Sequence, residues 1–376
     1  MIGKLYFATN RNYKGTDRWK PTGYGGKFSN DGHYNLRFGK LEMNVNESTV
    51  DKHLKKKFKE NRSGDGEGLT SYLTKEAEKA KISAYEDATS TTKKEIAFKH
   101  NSSTRFFKDL KEDMSDNTDV LIFIHGYNVS WEDAVGSAMS LQFMLNRKRK
   151  DGDKKVVVVL FTWPSNGSMM PFAAYKSDRS DARDSAQAIA RAILKLKDFL
   201  GQIKVNASDK SMRPCNQNIH LLAHSMGNYV LENSLKKIHG YSSGNRMPRI
   251  FENIFSCAGD VDDDCLEDDK KMGKLHQLAN HVSVYHNKGD VAMYISDITK
   301  GNPQRLGNTG AARPQLIHNK IHQVNCSKVV TGFTEHSYYQ WATVNDDIMM
   351  TINEVDFDDE SRQRKRLANN REWEIV

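Results

Sequence analysis

Long hydrophobic runs are what this chain of 376 residues most clearly lacks. Its longest apolar stretches, such as VVVVLF at 156–161, fall far short of the about 20 residues that a membrane-crossing helix needs. The opening MIGKLYFATN has no apolar core of signal-peptide length. Cysteine is scarce as well. The four, Cys215, Cys257, Cys265 and Cys326, include no CxxC pair, which argues against a disulfide framework or a zinc knuckle and for reduced thiols. Pro-rich and Gly-rich stretches occur only as local turns, and no internal repeat is visible. From these absences a soluble, cytoplasmic protein is expected. Apolar residues reach only 38%, and the mean hydropathy is −0.71. That is enough for one good core with long solvated insertions around it. Length alone favours about two or three domains, although large α/β enzymes often exceed the usual single-domain size.

Charge is present in both signs. Lys and Arg number 56 against 48 Asp and Glu, a net charge of +8. It is patchy: KHLKKKFKE (52–60), RKRKDGDKK (147–155) and RQRKR (362–366) are basic, while DVDDDCLEDD (260–269) and DFDDE (356–360) are acidic. A mixture of this kind reads as solvated surface, and without a recognised binding motif no nucleic-acid partner is expected. The acidic run tempts a calcium reading. It fails the EF-hand pattern, because Cys265 stands where glycine is required and Lys271 where the bidentate glutamate should be.

The chain begins with short strands and turns over 1–45 and continues through a Lys/Glu/Ser/Thr-rich stretch, 46–118, that reads as a solvated, partly helical insertion. STRFFKDLKEDM (103–114) fits a helix leading into the core. From Asp119 the pattern becomes regular. VLIFI (120–124), VVVVLF (156–161), NIHLLA (218–223), NIFSCA (253–258) and HVSVYH (281–286) are apolar runs typical of strands buried on both faces. Helical segments separate the first four: Trp131 to about Asn146, 181–200 with apolar residues at helical spacing, and 226–240 ending at Gly240 as a C-cap. A charged helical stretch lies before the fifth. Alternating strand and helix predict an α/β fold with a mostly parallel sheet and helices on both faces.

In such sheets the chemistry lies beyond the C-terminal ends of the strands. The third run ends in His224-Ser225-Met226-Gly227 and a helix follows. A nucleophile elbow needs small residues two before and two after the serine, here Ala223 and Gly227; alanine replaces the usual first glycine. The helix N-terminus would favour a developing oxyanion through the N–H of Met226. The second donor is expected from the loop after the first strand, His125-Gly126-Tyr127-Asn128, with Tyr127 N–H as donor and Gly126 allowing close approach. His125 reads as structural, and His224 as pointing away from so tight a turn. The order Ser, acid, His is met by Ser225, Asp290 and His336. Asp260 and Asp262 are rivals for the acid, His318 and His322 for the base. Tyr175 and Asp178 either line a pocket or cap a helix.

The boxes VLIFIHGYN (120–128), LFTWPSNG (160–167) with Tyr175 and Asp178 following, LLAHSMGNYVL (221–231), AGDVDDD (258–264), VYHNKGD (284–290) and HSYY (336–339) resemble a large bacterial α/β-hydrolase family of unknown function. YFATNR (6–11) and RFGK (37–40) resemble that family's N-terminal strands. The resemblance covers most of the chain except roughly 46–100 and the last 20 residues. It implies an α/β-hydrolase fold over 1–376, and a triad of the serine in the AHSMG box, the aspartate ending YxxxxD and the histidine of the HxYY-like box. These fall on Ser225, Asp290 and His336. It supplies no substrate.

The expected function is therefore a serine hydrolase, esterase- or lipase-like, acting on a small-molecule or lipid-like acyl substrate with no metal or organic cofactor. Residues 291–326, which join acid to base, are a possible lid, and 357–376 a charged tail. The alternative is a hydrolase-like binding module or an effector domain controlled by a protein partner through the charged insertion.

Overall fold

Each apolar run from Val120 onward becomes a strand, and each periodic segment between the first four a helix. The computed structural model describes residues 1–58, 63–86, 102–114, 117–165, 171–205, 217–242, 247–293, 304–330, 335–368 and 371–376. In chain order these form β1 (Ile2–Thr9), β2 (Arg11–Lys14), β3 (Gly23–Phe28), β4 (Arg37–Asn44), α1 (Glu47–Leu54), α2 (Gly66–Ala77), β5 (Lys81–Ala84) and α3 (Ser102–Glu112). Then come β6 (Thr118–Ile124), α4 (Trp131–Asn146), β7 (Lys155–Thr162), α5 (Pro171–Val205), β8 (Ile219–His224), α6 (Gly227–Tyr241), β9 (Phe251–Cys257) and β10 (Ala279–His286). The chain closes with α7 (Leu306–Thr309), β11 (Ile321–Asn325), α8 (Ala342–Ile352), β12 (Arg364–Arg366) and β13 (Glu372–Ile375).

One eleven-stranded sheet has the order β12-β13-β11-β10-β9-β8-β6-β7-β1-β4-β5. All neighbours from β13 to β1 pair in parallel, and antiparallel pairs finish both edges. The alternation within each strand divides the core in two. Leu121, Phe123, Leu222 and Phe255 face α2, α4 and α8, whereas Val120, Ile124, Leu221 and Ala223 face α5 and α6. Both faces are covered, which is why the strands read as unbroken apolar runs. α4 begins at a capping box of Ser130 and Asp133, a device that contributes about 1 kcal/mol. It buries Trp131 against Phe7 and Tyr24, with ring centroids 5.0 and 4.6 Å away.

The connectivity positions the site. The chain passes from β6 to β7 on one side, then returns through α5 to lay β8 on the other side of β6. Ile124 is thus flanked by Phe161 and by Ala223. The C-terminal ends of β6 and β8 sit together at a topological switch point, where a crevice opens.

Four sequence expectations meet the structure at particular residues. α2 and β5 lie within the supposed solvated insertion, yet α2 buries Leu69, Leu73 and Ala77, and β5 extends the main sheet. Its apolar stripe is only three residues spaced four apart among charges, too thin to stand out. α2 reaches α4 because Gly136 leaves room: a Cβ there would lie 2.7 Å from Thr74 N. α6 runs through Gly240 to Tyr241, so that glycine does not end it. Within the charged tail, β12 and β13 join the sheet, and Arg362 is buried, donating to Asp347 Oδ1 at 3.1 Å and to Val355 O at 2.8 Å. Of the possible lid, β11 is an interior strand and Arg305 and Leu306 are fully buried; 294–303 lie outside the described residues. Among the described residues, no helix is long and apolar enough to cross a membrane.

Candidate active site

β8 ends at His224, and Ser225 follows with φ of +53°, in the left-handed region. A serine held there stores on the order of 1–3 kcal/mol of strain, so its surroundings must impose it. They do so through the backbone. Ser225 N–H donates to Cys257 O at 3.0 Å, and Ser225 O accepts from Asn228 N–H at 3.0 Å and Asp260 N–H at 3.2 Å. The Asn228 side chain, fully buried, donates to Ala223 O at 2.8 Å and accepts from Ser256 Oγ at 2.7 Å. It ties the ends of β8 and β9 to the first turn of α6. Sequence reasoning passed over this residue, although a buried asparagine three positions after the serine faces the elbow by helical geometry.

The small residues around the serine answer to close contacts. A Cβ on Gly227 would sit 2.5 Å from Ile124 O and 2.8 Å from His125 O. A Cβ on Gly126 would sit 2.7 Å from Ser225 Cβ and 3.2 Å from Ser225 Oγ. The loop after β6 therefore lies directly against the serine side chain. Asn128, with φ of +57°, turns this loop. Its N–H donates to Asp178 Oδ2 at 3.2 Å, and Val129 N–H donates to Ser165 Oγ at 3.2 Å, while Ser165 Oγ donates to the same Asp178 oxygen at 2.6 Å. Asp178, fully buried on α5, is thus a clamp on the loop that carries Tyr127. Arg11 completes it, donating to Val129 O at 2.7 Å. Sequence reasoning gave neither Ser165 nor Arg11 a role, although both stand in family-like boxes, LFTWPSNG and YFATNR.

His125 is buried and stacks on Trp163 with centroids 5.3 Å apart and 7° between planes. Trp163 N–H donates to its Nε2 at 3.2 Å, and its Nδ1 lies 2.9 Å from Gly126 O. Both contacts are met by the neutral tautomer protonated on Nδ1. Burial and the Arg11 charge pull its pKa down to about 3. A histidine near 6.5 when unfolded and near 3 when folded binds its proton more readily in the unfolded chain, so stability is lost as pH falls below about 6.5. Lowering the pH from 7 to 5 is expected to cost about 2 kcal/mol from this group. Urea unfolding at both pH values measures it: His125→Asn should shrink the difference by about that amount, and an unchanged difference would refute the assignment.

On the other side of the serine, Asp290 is buried after β10, and its Oδ1 accepts from Ala292 N–H at 3.1 Å. Its Oδ2 lies 2.7 Å from Nδ1 of His336, which is half-buried. The histidine is positioned from two sides. His224 Nε2 is 3.1 Å from His336 O, and the two rings lie 4.8 Å apart. His224 reaches across to the base loop, and burial followed by the neighbouring His336 holds its pKa well below the usual value. Tyr338 OH donates to Tyr285 O at 2.9 Å, tying the histidine loop to β10, the strand that bears the aspartate.

The rival residues are occupied elsewhere. Asp260 Oδ2 accepts from Tyr175 OH at 2.6 Å, and Asp262 Oδ1 accepts from Nη1 of the fully buried Arg305 at 2.5 Å. His318 stacks on His276 at 3.8 Å and His322 on Phe357 at 3.9 Å. Tyr175, left undecided by sequence, stands 5.7 Å from the Tyr127 ring. The acidic run closes on ion pairs with Arg305, Lys270, Lys271 and Arg313. Among the described residues, no group of three or more His, Cys, Asp or Glu is placed to hold a metal.

A parallel sheet with helices on both faces, and a serine turned out of its central strand at the switch point, define an α/β hydrolase. The chain belongs to the family described as alpha/beta hydrolase of unknown function (DUF900), whose pattern matches residues 99–348. No curated protein matches it. Among solved structures, a lipase-esterase related protein from Clostridium acetobutylicum ATCC 824 is similar at 12% identity. That likeness covers 64% of this chain and 96% of the other, and its TM-score of 0.25 is too low to bear on the site.

Proposed function

We propose that the protein is a serine hydrolase that cleaves a carboxylic ester or related acyl bond through an acyl-enzyme. The observation that carries this reading is the 2.7 Å contact between Asp290 Oδ2 and His336 Nδ1, with the His336 ring 4.8 Å from that of His224, the residue just before a serine held at φ +53°. Ser225 Oγ attacks the carbonyl carbon while its proton passes to Nε2 of His336. Asp290 keeps the ring proton on Nδ1 and so leaves Nε2 free to accept. The tetrahedral oxyanion is met by the N–H groups of Tyr127 and Met226, each worth on the order of 10²–10³ in rate by analogy with measured donors. Collapse expels the leaving alkoxide or thiolate, which takes the proton from His336. Water then attacks the acyl-enzyme with His336 as base, giving the free acid and Ser225 again.

The clamp of Asp178, Ser165 and Arg11 supports this assignment, since a preformed oxyanion loop needs its backbone held before substrate arrives. A fluorophosphonate probe tests the reading. It is expected to label wild-type protein stoichiometrically on the peptide carrying Ser225. Absence of labelling, or labelling on another residue, overturns it.

A further inference from the structure

A cavity of about 370 Å³ opens near the C-terminal end of β1, with Thr9 and Arg11 in its wall. Ser225, Asp290 and His336 do not line it. Five cations do: Arg11, Arg18, Arg37, Arg191 and Lys195. Among the described residues, Asp31 is the one carboxylate in its wall. These cations come from separate parts of the chain, brought together by β1, the segment following it, β4 and one face of α5.

The cations are set in place by contacts with Asp31 and with neighbouring rings. Asp31 bridges Arg18, at 2.6 Å, and Arg37. Both guanidinium groups also stack on Trp19, at 4.8 and 4.6 Å. Arg191 lies over the Tyr34 ring at 5.8 Å and donates to Tyr34 O at 3.4 Å. Lys195 lies 5.8 Å from the Phe38 ring centroid. Tyr24, buried to 2% exposure, lines the same cavity, and its hydroxyl has no hydrogen-bond partner among the described residues. Burial pushes that phenol up, against the opposing charge of Arg37, so it stays a protonated donor. With five cations and one carboxylate in its described lining, the cavity is electrostatically suited to an entering anion. Planar guanidinium forks match the oxygens of a phosphoryl group, and the space exceeds what a bare anion fills. Tyr34, Leu36 and Phe38 give the rest of the wall some apolar and aromatic surface beside polar Ser29, Asn35 and Ser102, which suits a small organic body.

We propose that this cavity binds a small molecule bearing a dianionic phosphoryl group, with Arg18, Arg37, Arg191 and Lys195 facing the phosphoryl oxygens and Tyr24 donating from the floor. Arg11 stands in the wall of this cavity and also donates to Val129 O, so one side chain is shared by the phosphoryl site and the oxyanion loop.

Titration calorimetry with phenyl phosphate, at ionic strength held constant with sodium chloride, tests the site without any turnover. Saturable binding is expected, equal in wild type and Ser225→Ala, and at least tenfold weaker in an Arg191→Glu, Lys195→Glu double variant. Arg18→Ala, in a surface loop, gives a second reading should the double variant fail to fold; it should weaken binding as well. The proposal is overturned by absence of saturable binding, by unweakened binding in the variants that fold, or by citrate binding as tightly as phenyl phosphate. A protein that binds phenyl phosphate yet resists the fluorophosphonate probe would sink the hydrolase reading and leave this site standing.

Discussion

Ser225→Ala is expected to lower kcat by about 10⁶-fold on any ester the wild type turns over, with KM little changed, because the substituted atom acts only once the carbonyl is attacked. Asp290→Asn should lower kcat by about 10⁴-fold. An asparagine at 290 fits the same space, but its amide nitrogen would meet the Nδ1 side of His336 with a donor, favouring the tautomer whose Nε2 already carries a proton. That ring cannot take the proton from Ser225. Asp262→Asn, by contrast, weakens a link to Arg305 and should leave most of the rate. Steady-state kinetics on a short-chain aryl ester, run on all three variants, separates the assignments. If Asp290→Asn kept wild-type kcat while Asp262→Asn lost it, the acid would have been misplaced. Combining Ser225→Ala with Asp290→Asn should cost scarcely more than Ser225→Ala alone, since the groups act as one unit.

The parts of this site that could be read from sequence were those with local sterics or strict order. Small residues flank Ser225 because neighbouring backbone leaves no space, and such a demand is written in adjacent positions. The parallel strands were legible because both of their faces are buried, and burial on both sides turns the usual alternation into an unbroken apolar run. The choice of Asp290 over Asp260 was different. Both follow strands, and only the pairing of β10 beside β9 decides which carboxylate faces the histidine loop. Asn228, His224 and Arg11 act through contacts with residues up to 118 positions away, as Arg11 does with Val129. For His224 nothing in the neighbouring residues announces that. The burial of α2 escaped for a related reason: its stripe of Leu69, Leu73 and Ala77 is short, and the glycine on α4 that admits it, Gly136, and the bond from Ser140 Oγ to Gly66 O at 2.8 Å lie far off in sequence.

Gly227→Ala is the second large effect to expect, and it separates elbow geometry from chemistry. The added carbon would meet Ile124 O at 2.5 Å and His125 O at 2.8 Å, both backbone atoms at the C-terminal end of β6. Neither can swing aside as a side chain would, so the first turn of α6 must shift away and take Ser225 and Met226 N–H with it. A displacement near 1 Å at the reacting groups costs about 10²-fold in rate, and overpacking of this kind about 1–3 kcal/mol in stability. Gly126→Ala should divide the two costs differently. Its new carbon meets the Ser225 side chain, 2.7 Å from Cβ and 3.2 Å from Oγ, so the damage falls on the nucleophile more than on the fold. Gly240→Ala serves as the control. It lies within α6 with nothing within 4 Å of the added carbon, and should stabilise by about 0.5–1 kcal/mol with activity intact. Chemical denaturation and ester kinetics on the three variants give a pattern that general sensitivity to alanine cannot produce: loss of both properties at 227, loss chiefly of rate at 126, and a gain in stability at 240. Wild-type activity in Gly227→Ala would mean that the helix can retreat without moving the serine, and the close packing of α6 on β6 would then have no part in setting the nucleophile.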